Sequence, residues 1–446
     1  MERTTDMTKG NPGKLILGFA FPLIITNLGQ QLYMMVDAAI VGRGVGVKAL
    51  AAVGSADWIY WLILWTVIGI TQAFSTFISR YFGDKNYKLV SKTIAMSAIL
   101  CAVISVIVTI VGVLAARPVL KMLDTPSDII DGASVYLTTM IAGTPVIAAY
   151  NMSSAVLRSF GDGRSPLIAM LISAFANVFL DLLFVMNFHW GVFGAALASV
   201  ISQMISFVYC LIRIRDVKCI SLEKNVWKPD FSMMKEMLTF AVSLSMQYVV
   251  ISVGGIILQS TINLQGSIFV AGYTAVNKLY GLLECTAISL GSAFATYFGQ
   301  NYGAGEKKRF TKGMSTAVRM CIIAAIIVMG VVFIFGKYLL MLFLDTSDKD
   351  GMAAMEIGWN YLRLMGIFLI VLYLIHVYRN AFQSMGIAFW SFVSGLAEFV
   401  IRVSMGKLFI HFFGTAILYC IEPAAWFGAL ALVIIPYYIY QKKYLL

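Results

Sequence analysis

Charged residues are scarce in this sequence. They make up 12% of its 446 residues, whereas soluble domains have about 25%. Hydrophobic residues make up 60%, and the mean hydropathy is +0.85. A single soluble core cannot hide this much apolar surface, so the natural solvent of the chain is lipid. The composition excludes a disordered, collagen-like or disulfide-scaffold protein and predicts an all-α polytopic membrane protein.

The motifs of enzymes and metal sites are also missing. The sequence has 3 histidines that are far apart and 6 cysteines, none of which forms a Cys-x-x-Cys pair. It contains no His-Glu-x-x-His, Gly-x-Ser-x-Gly or Walker A pattern. We therefore expect no enzymatic activity and no cofactor, and any transport must draw on an ion gradient or on the gradient of the substrate. The N-terminal residues also lack the pattern of a removable signal peptide.

Apolar segments of about 20 residues recur along the chain. They predict twelve membrane-spanning helices, near residues 15–41, 50–79, 93–116, 129–158, 166–187, 191–212, 236–261, 268–299, 313–335, 353–380, 388–411 and 423–441. The longest polar stretch separates the sixth of these helices from the seventh. We therefore predict an N-lobe of six helices over residues 1–212, a cytoplasmic linker over 213–235, and a C-lobe of six helices over 236–446.

Lysine and arginine are distributed unevenly between the predicted loops. Segments on the side of the N-terminus carry 22 of these residues, and segments on the opposite side carry 7. The positive-inside rule therefore places both termini and the linker in the cytoplasm. The formal net charge of +11 follows from this topology, so a nucleic-acid partner is not needed to explain it.

The second half of the sequence repeats the first at a constant shift, without a gap in the matching region. The clearest match pairs residues 73–88 with 293–308, AFSTFISRYFGDKNYK with AFATYFGQNYGAGEKK. Six predicted helices lie between corresponding positions, so both halves cross the membrane in the same direction. Repeats of this kind are related by a pseudo-two-fold axis along the membrane normal, with a cavity between two lobes. This arrangement favours a transporter that works by alternating access.

The first and fifth predicted helices contain acidic residues. Asp37 lies in the first helix, and Gln30 and Tyr33 lie on the same face. Asp181 lies in the fifth helix, one turn after Asn177, so these two side chains share a face as well. A carboxylate in the middle of a bilayer costs about 2.5–3.5 kcal/mol on insertion scales. Both acids are therefore candidates for a functional role.

Neighbouring predicted helices supply further oxygen atoms, from Asn151 in the fourth helix and Ser199 in the sixth. Carboxylate, amide and hydroxyl oxygens could together hold a dehydrated Na⁺, with Asp37, Asn177 and Asp181 as its ligands. Alternatively, two buried carboxylates that repel each other would retain a proton. A third interpretation is that the acids only join helices by hydrogen bonds. The residues themselves leave these alternatives open.

The second half carries different charges in its membrane-spanning segments. In its fifth helix, Glu398 and Arg402 occupy the positions that we align with Asn177 and Asp181 of the first half. Their spacing of four residues predicts an ion pair. Ion coupling is therefore expected in the first half. Candidates for a substrate cavity are Gln30, Tyr33, Lys278, Glu284, Glu398 and Arg402.

Pro22 interrupts the backbone hydrogen bonding of the first helix and permits a kink. The kink would be either a hinge that moves Asp37 when its charge changes, or a static bend. The sequence leaves both possibilities open.

Seven segments form a wider pattern: FPLIITNLGQQLYMMVDAAIVGRGVGVKALAAVG, LRSFGDGRSPL, NVFLDLLFV, GVFGAALASVISQ, AFATYFGQNYGAGEKKR, QSMGIAFWSFVSGLAEFVIRV and IEPAAWF. With them, nearly the whole chain resembles the multidrug and toxic compound extrusion (MATE) family. The resemblance implies a monomeric secondary antiporter of a bacterial plasma membrane that exports organic cations and other toxic compounds in exchange for Na⁺ or H⁺. Its partners would be cationic amphiphiles and the lipid bilayer.

The resemblance also implies a cation site in the N-lobe. The matching positions are Asp37, Asn177 and Asp181, then Ser199 where a threonine is common, and Asn151, Gln30 and Pro22. The second half lacks the acidic site that some members use, which puts a second ion site in doubt, although Glu284 keeps that question open. An alternative within the same superfamily is a flippase for a lipid-linked oligosaccharide, which would need a cationic cavity.

Overall fold

A computed structural model describes residues 4–123, 125–221 and 223–445. These residues form fourteen α-helices and no β-strand. The helices are α1 (Pro12–Gly44), α2 (Val47–Gly83), α3 (Tyr87–Met122), α4 (Ile130–Ala142), α5 (Thr144–Ser159), α6 (Arg164–Asp181), α7 (Gly191–Arg215), α8 (Phe231–Asn263), α9 (Ser267–Gly303), α10 (Lys307–Leu340), α11 (Lys349–Ser384), α12 (Phe389–Ser404), α13 (Ile410–Phe413) and α14 (Ile421–Tyr440). Short π-helices extend α6 (Leu182–Asn187), α12 (Met405–Phe409) and α14 (Gln441–Leu445).

The spans follow the hydropathy of the sequence. Ten helical segments in the described part of the chain are long and apolar enough to cross a membrane. α4 and α5 together make an eleventh span with a bend of 46°, at a point where Pro145 has no N–H to continue the helix. The twelfth corresponds to α12, which has only 16 residues and reaches the length of about 20 residues that a span needs through its π-helix and α13.

The internal repeat is visible in the backbone. α2 and α9 have 37 residues each, and they begin at Val47 and Ser267, which correspond in the repeat. Gly46 and Gly266 precede them with φ angles of 116° and 91°. Glycine adopts such angles without steric cost, so the two halves make the same tight turn from the same residue.

The chain divides into two compact units whose borders differ from those of the predicted lobes. Unit 1 consists of Met1–Lys9 and Phe21–Ser245, and unit 2 consists of Gly10–Ala20 and Met246–Leu446. The borders therefore fall inside α1 and α8. Each of these helices has 33 residues and is about 50 Å long, which exceeds the membrane thickness, so its two ends can pack with different neighbours. Hydropathy alone does not reveal such a division.

One hydrophobic core in unit 1 joins five of its helices. It contains Val41 of α1, Ala56 of α2 and Tyr136 of α4, together with residues of α3 and α7. Val185, in the π-helix after α6, also belongs to it. Val41 and Val185 each follow one turn after a predicted site acid. The core therefore holds the helices that carry the acids in a defined arrangement.

Candidate functional site

Asp37 on α1 and Asp181 at the end of α6 come together in unit 1. Their carboxyl groups interact electrostatically, and Tyr33, one turn before Asp37, interacts with both. Asp181 is 0% exposed, whereas Asp37 and Tyr33 are half-buried. Two acids that are far apart in the sequence thus come together, and their role as a coupling site stays a prediction.

Apart from the contact between the two carboxyl groups, the buried oxygens of this pair have no protein donor among the described residues. Oδ1 of Asp37, both carboxylate oxygens of Asp181 and Oδ1 of Asn177 are buried without a hydrogen-bond partner there. Most buried polar atoms are satisfied, because leaving one unpaired costs about 1–3 kcal/mol. A set of unpaired, hard oxygen atoms on neighbouring helices suits a proton or a small cation such as Na⁺.

The amide and hydroxyl candidates are placed differently. Asn177 is fully buried one turn before Asp181, and its Nδ2 donates to Oγ of Ser199 on α7 at 3.4 Å. The side chain of Asn151 instead donates to the backbone oxygen of Ile147, one turn earlier in α5, at 2.9 Å. Ser199 therefore belongs to the immediate surroundings of the acid pair, while the amide group of Asn151 is bound to its own helix.

Two further candidates lie earlier on α1. Gln30 is half-buried, two turns before Asp37. Pro22 is buried within a helix that runs without a break from Pro12 to Gly44. The border between units 1 and 2 falls next to Pro22, between Ala20 and Phe21. A hinge at Pro22 stays a prediction.

A third acid of unit 1 was absent from our sequence-based candidates. Asp57 on α2 interacts electrostatically with Tyr60 and Tyr136. Tyr136 on α4 also interacts with Asp37 and Tyr33. The signal that could have identified Asp57 was its position inside an apolar span, which is the criterion that singled out Asp37.

Glu398 and Arg402 belong to a chain of four buried charges in unit 2. Arg379 of α11 lies 2.6 Å from Glu398, and Arg402 lies 3.2 Å from Glu398 and 2.8 Å from Glu422 of α14. All four residues are buried, and their charges cancel. The expected pair of Glu398 and Arg402 is present. Sequence reasoning missed the two outer members, Arg379 and Glu422. It had counted Arg379 with a cytoplasmic loop.

Our alignment of the two halves is wrong by about one turn in this region. Gly161 and Gly386 have φ angles of 72° and 79°, and each lies two residues after the end of a helix, α5 or α11. Counted from these glycines, Gly406 corresponds to Asp181, rather than Arg402. The discrepancy arises mainly because α4 and α5 together cover residues 130–159, whereas their counterpart α11 covers the longer range 349–384. The second half therefore has no acid at this position.

The remaining candidates of unit 2 lie on α9. Glu284 lies 3.9 Å from Nε2 of His376 of α11 and interacts with Tyr280, one turn earlier. Lys278 lies on an exposed part of the same helix. Glu284 also interacts electrostatically with Glu398, so it lies close to the chain of four charges.

The MatE family model matches residues 22–183 and 243–408 of this sequence. The two matches cover more than half of the chain, one in each half of the repeat. The chain belongs to the MATE family. The predicted family is thereby confirmed, and the chain is a multi-pass membrane protein of a transporter family.

Curated relatives and solved structures agree with this assignment. The chain is 28% identical over 413 residues to the probable multidrug resistance protein YpnP of Bacillus subtilis, covering 92% of this chain and 91% of the relative. It is 23% identical to the probable multidrug resistance protein NorM of Thermotoga maritima, over 94% and 89% of the two chains.

Solved structures share the fold. A MOP superfamily transporter from Pyrococcus furiosus superimposes with a TM-score of 0.90, at 20% identity and over 99% of this chain and 98% of the other. An outward-facing multidrug resistance MATE transporter superimposes with a TM-score of 0.89, at 20% identity and over the same shares of the two chains. This likeness, which other MATE structures share, confirms the predicted fold class of twelve spanning helices in two six-helix lobes.

Proposed function

We propose that this MATE-family protein is a secondary antiporter that exports organic cations and other toxic compounds in exchange for Na⁺ or H⁺ by alternating access. The observation that carries the proposal is the pair of Asp37 and Asp181, whose buried oxygens have no protein donor in the described part of the chain. The relatives described as multidrug resistance proteins support the class of cargo.

Electrostatics explains how the pair would couple two ligands. Two carboxylates that face each other inside a bilayer repel strongly, because the surroundings screen their charges poorly. One Na⁺ or one proton between them relieves this repulsion. An organic cation near the site is attracted by the same negative charge, so occupancy by the inorganic cation weakens its binding. By reciprocity, the cargo weakens binding of the inorganic cation to the same extent.

The residues present suit either coupling ion. For Na⁺, the ligands would be carboxylate oxygens of Asp37 and Asp181 and the amide oxygen of Asn177, with the Ser199 hydroxyl beside them. These are the oxygen donors that hard cations prefer. For H⁺, the two carboxyl groups would share one proton. In both cases no resident cofactor takes part.

We further place the protein in a bacterial plasma membrane as a monomer, with both termini in the cytoplasm. The excess of lysine and arginine on the side of the termini supports this orientation. Its partners are cationic amphiphiles and lipid. Transport of a lipid-linked oligosaccharide is less compatible with this site, because unpaired acidic oxygens would repel a pyrophosphate group.

Binding isotherms of a cationic dye test the proposal and identify the ion. The purified full-length protein is titrated with ethidium at several pH values, with and without Na⁺. If Na⁺ is the coupling ion, Na⁺ weakens dye binding. If H⁺ is the coupling ion, dye binding strengthens as the pH rises, because the site loses its proton. Dye binding that depends on neither ion would overturn the antiport proposal.

A further inference from the structure

Asp57 and Asp37 lie at similar depths in two consecutive helices. Asp37 precedes the end of α1 by seven residues, which is about 10 Å along the helix, and Asp57 follows the start of α2 by ten residues, which is about 15 Å. The turn that joins α1 to α2 is only two residues long. Both acids therefore lie inside the membrane-spanning part of unit 1, within about one helical turn of the same level.

Three tyrosines of unit 1 interact electrostatically with these acids. Tyr136 of α4 interacts electrostatically with both Asp57 and Asp37. Tyr60, one turn after Asp57 on α2, interacts with Asp57 and with Tyr33. Tyr33 in turn interacts with Asp37 and with the second acid of the pair. Asp57 and the pair of Asp37 and Asp181 thus share tyrosine neighbours, whose phenol groups can both donate and accept hydrogen bonds.

The hydrophobic core of unit 1 holds this arrangement. Val41, one turn after Asp37, is 1% exposed, and Ala56, the neighbour of Asp57, is 0% exposed. Tyr136 belongs to the same core and is 6% exposed. Residues of α1 and α2 next to the two acids therefore belong to the same packed core as this tyrosine.

The repeat supplies an independent argument. At the shift that relates α2 to α9, Asn277 takes the place of Asp57, while Tyr280 keeps the place of Tyr60. At the same shift, Ile257 takes the place of Asp37. The acid on α2 is thus replaced by a neutral side chain in the half of the chain that also lacks the acid on α1. A purely structural role in the shared fold would not require this joint replacement.

We propose that Asp57 is a second station for the coupling cation in unit 1, connected through Tyr136 to the pair of Asp37 and Asp181. The inference rests on the proposed function and extends it. A proton that leaves the pair is accepted by a tyrosine oxygen while that hydroxyl gives its own proton to Asp57, so no net charge is left on the phenol. A Na⁺ ion instead leaves the carboxylates of the pair, passes the tyrosine oxygens and binds the carboxylate of Asp57.

The experiment compares cation dependence in Asp57→Asn, Asp57→Glu and the unaltered full-length protein in proteoliposomes. The concentration of coupling cation that half-saturates dye transport is expected to rise about tenfold in Asp57→Asn, within the usual range of coupling between two sites. Asp57→Glu is expected to recover most of this change, because it keeps the carboxylate. Asp128→Asn serves as the matched control, since Asp128 is an exposed acid of the same unit, paired with Lys48 at 3.1 Å.

A second variant tests the connection and protects against a folding defect. Tyr136→Phe keeps the buried ring and removes only the hydroxyl, and it is expected to raise the half-saturating concentration several-fold. In the double variant the two effects are expected not to add, because both interrupt one route. Additive effects, or unchanged cation dependence in a folded Asp57→Asn protein, would overturn the inference.

These outcomes are distinct from a failure of the proposed function. If Asp37→Asn abolishes coupled transport and Asp57→Asn changes nothing, only the second station is wrong. If Asp37→Asn itself leaves cation dependence intact, the coupling site is wrong, and the second station falls with it.

Discussion

Units 1 and 2 hold their buried charges in opposite ways. In unit 2, Arg379 and Arg402 bind two glutamates at distances between 2.6 and 3.2 Å. In unit 1, Asp37 and Asp181 face each other, and several of their oxygens have no protein donor in the described residues. A glutamate bound by arginine is already neutralised, whereas two acids without a basic partner leave a place for the cation that we propose. The partner of a buried acid, more than the acid itself, is therefore our criterion for distinguishing a structural group from a proposed coupling site.

The largest effect is expected when the acid pair of unit 1 is broken. Asp181→Asn, and separately Asp37→Asn, should reduce dye efflux about 100-fold, because each removes a carboxylate that we propose as a ligand of the coupling cation. Efflux from proteoliposomes measures this, with membrane insertion checked in the same samples. The exposed acid Asp128, changed to Asn, should leave efflux unaffected. Normal efflux by both site variants would contradict the assignment of a coupling site to unit 1.

A smaller effect, on stability, is expected when the charge chain of unit 2 is broken. Arg402→Met leaves Glu398 and Glu422 without this partner, and the free energy of unfolding should fall by about 3–5 kcal/mol. Unfolding of the purified protein in detergent measures the change.

Two comparisons sharpen this test. Arg319→Met removes an arginine from an exposed position of α10 and should have little effect on stability. Asp181→Asn should preserve or raise the free energy of unfolding, because it relieves repulsion between two acids. Equal destabilisation by Arg402→Met and Asp181→Asn would show that both acid clusters are structural.

The smallest effect is expected at Glu284. Glu284→Gln should change the half-saturating concentration of the coupling cation by less than about fivefold, since this acid lies beside His376 and the neutral charge chain rather than beside an unpaired acid. The same transport assay measures it, with the exposed Glu356 of α11 changed to Gln as control. A loss of cation dependence comparable to that of Asp181→Asn would assign a second coupling site to unit 2 and end the comparison.

The spans of the fold were predictable because hydropathy is a local property. The first predicted helix, residues 15–41, lies inside α1, which runs from Pro12 to Gly44. Both ends of α1 extend beyond the predicted segment, because apolar composition marks only the part of a helix that lies inside the hydrocarbon core. The helix ends depend instead on turns and caps, such as the Asn86 side chain that accepts from the backbone N–H of Leu89 at the start of α3.

The candidate site was predictable in part. Helical spacing was enough to place Asn177 and Asp181 on one face, and the cost of a buried acid singled out Asp37. Spacing within one helix carries no information about which other helix packs against it, so the meeting of Asp37 with Asp181 had to come from the structure. Asp57 was missed although the same criterion applied to it.

The sequence by itself determined the solvent of this protein, the number of its spans, the duplication of its halves and its family, because each of these follows from composition or from patterns along the chain. Only the tertiary structure decided that Arg379 and Glu422 complete the charges of unit 2, and that α1 and α8 are each divided between two units. These features depend on which side chains meet across helices that are distant in sequence. The packing of the helices determines these contacts, and no local sequence pattern predicts them.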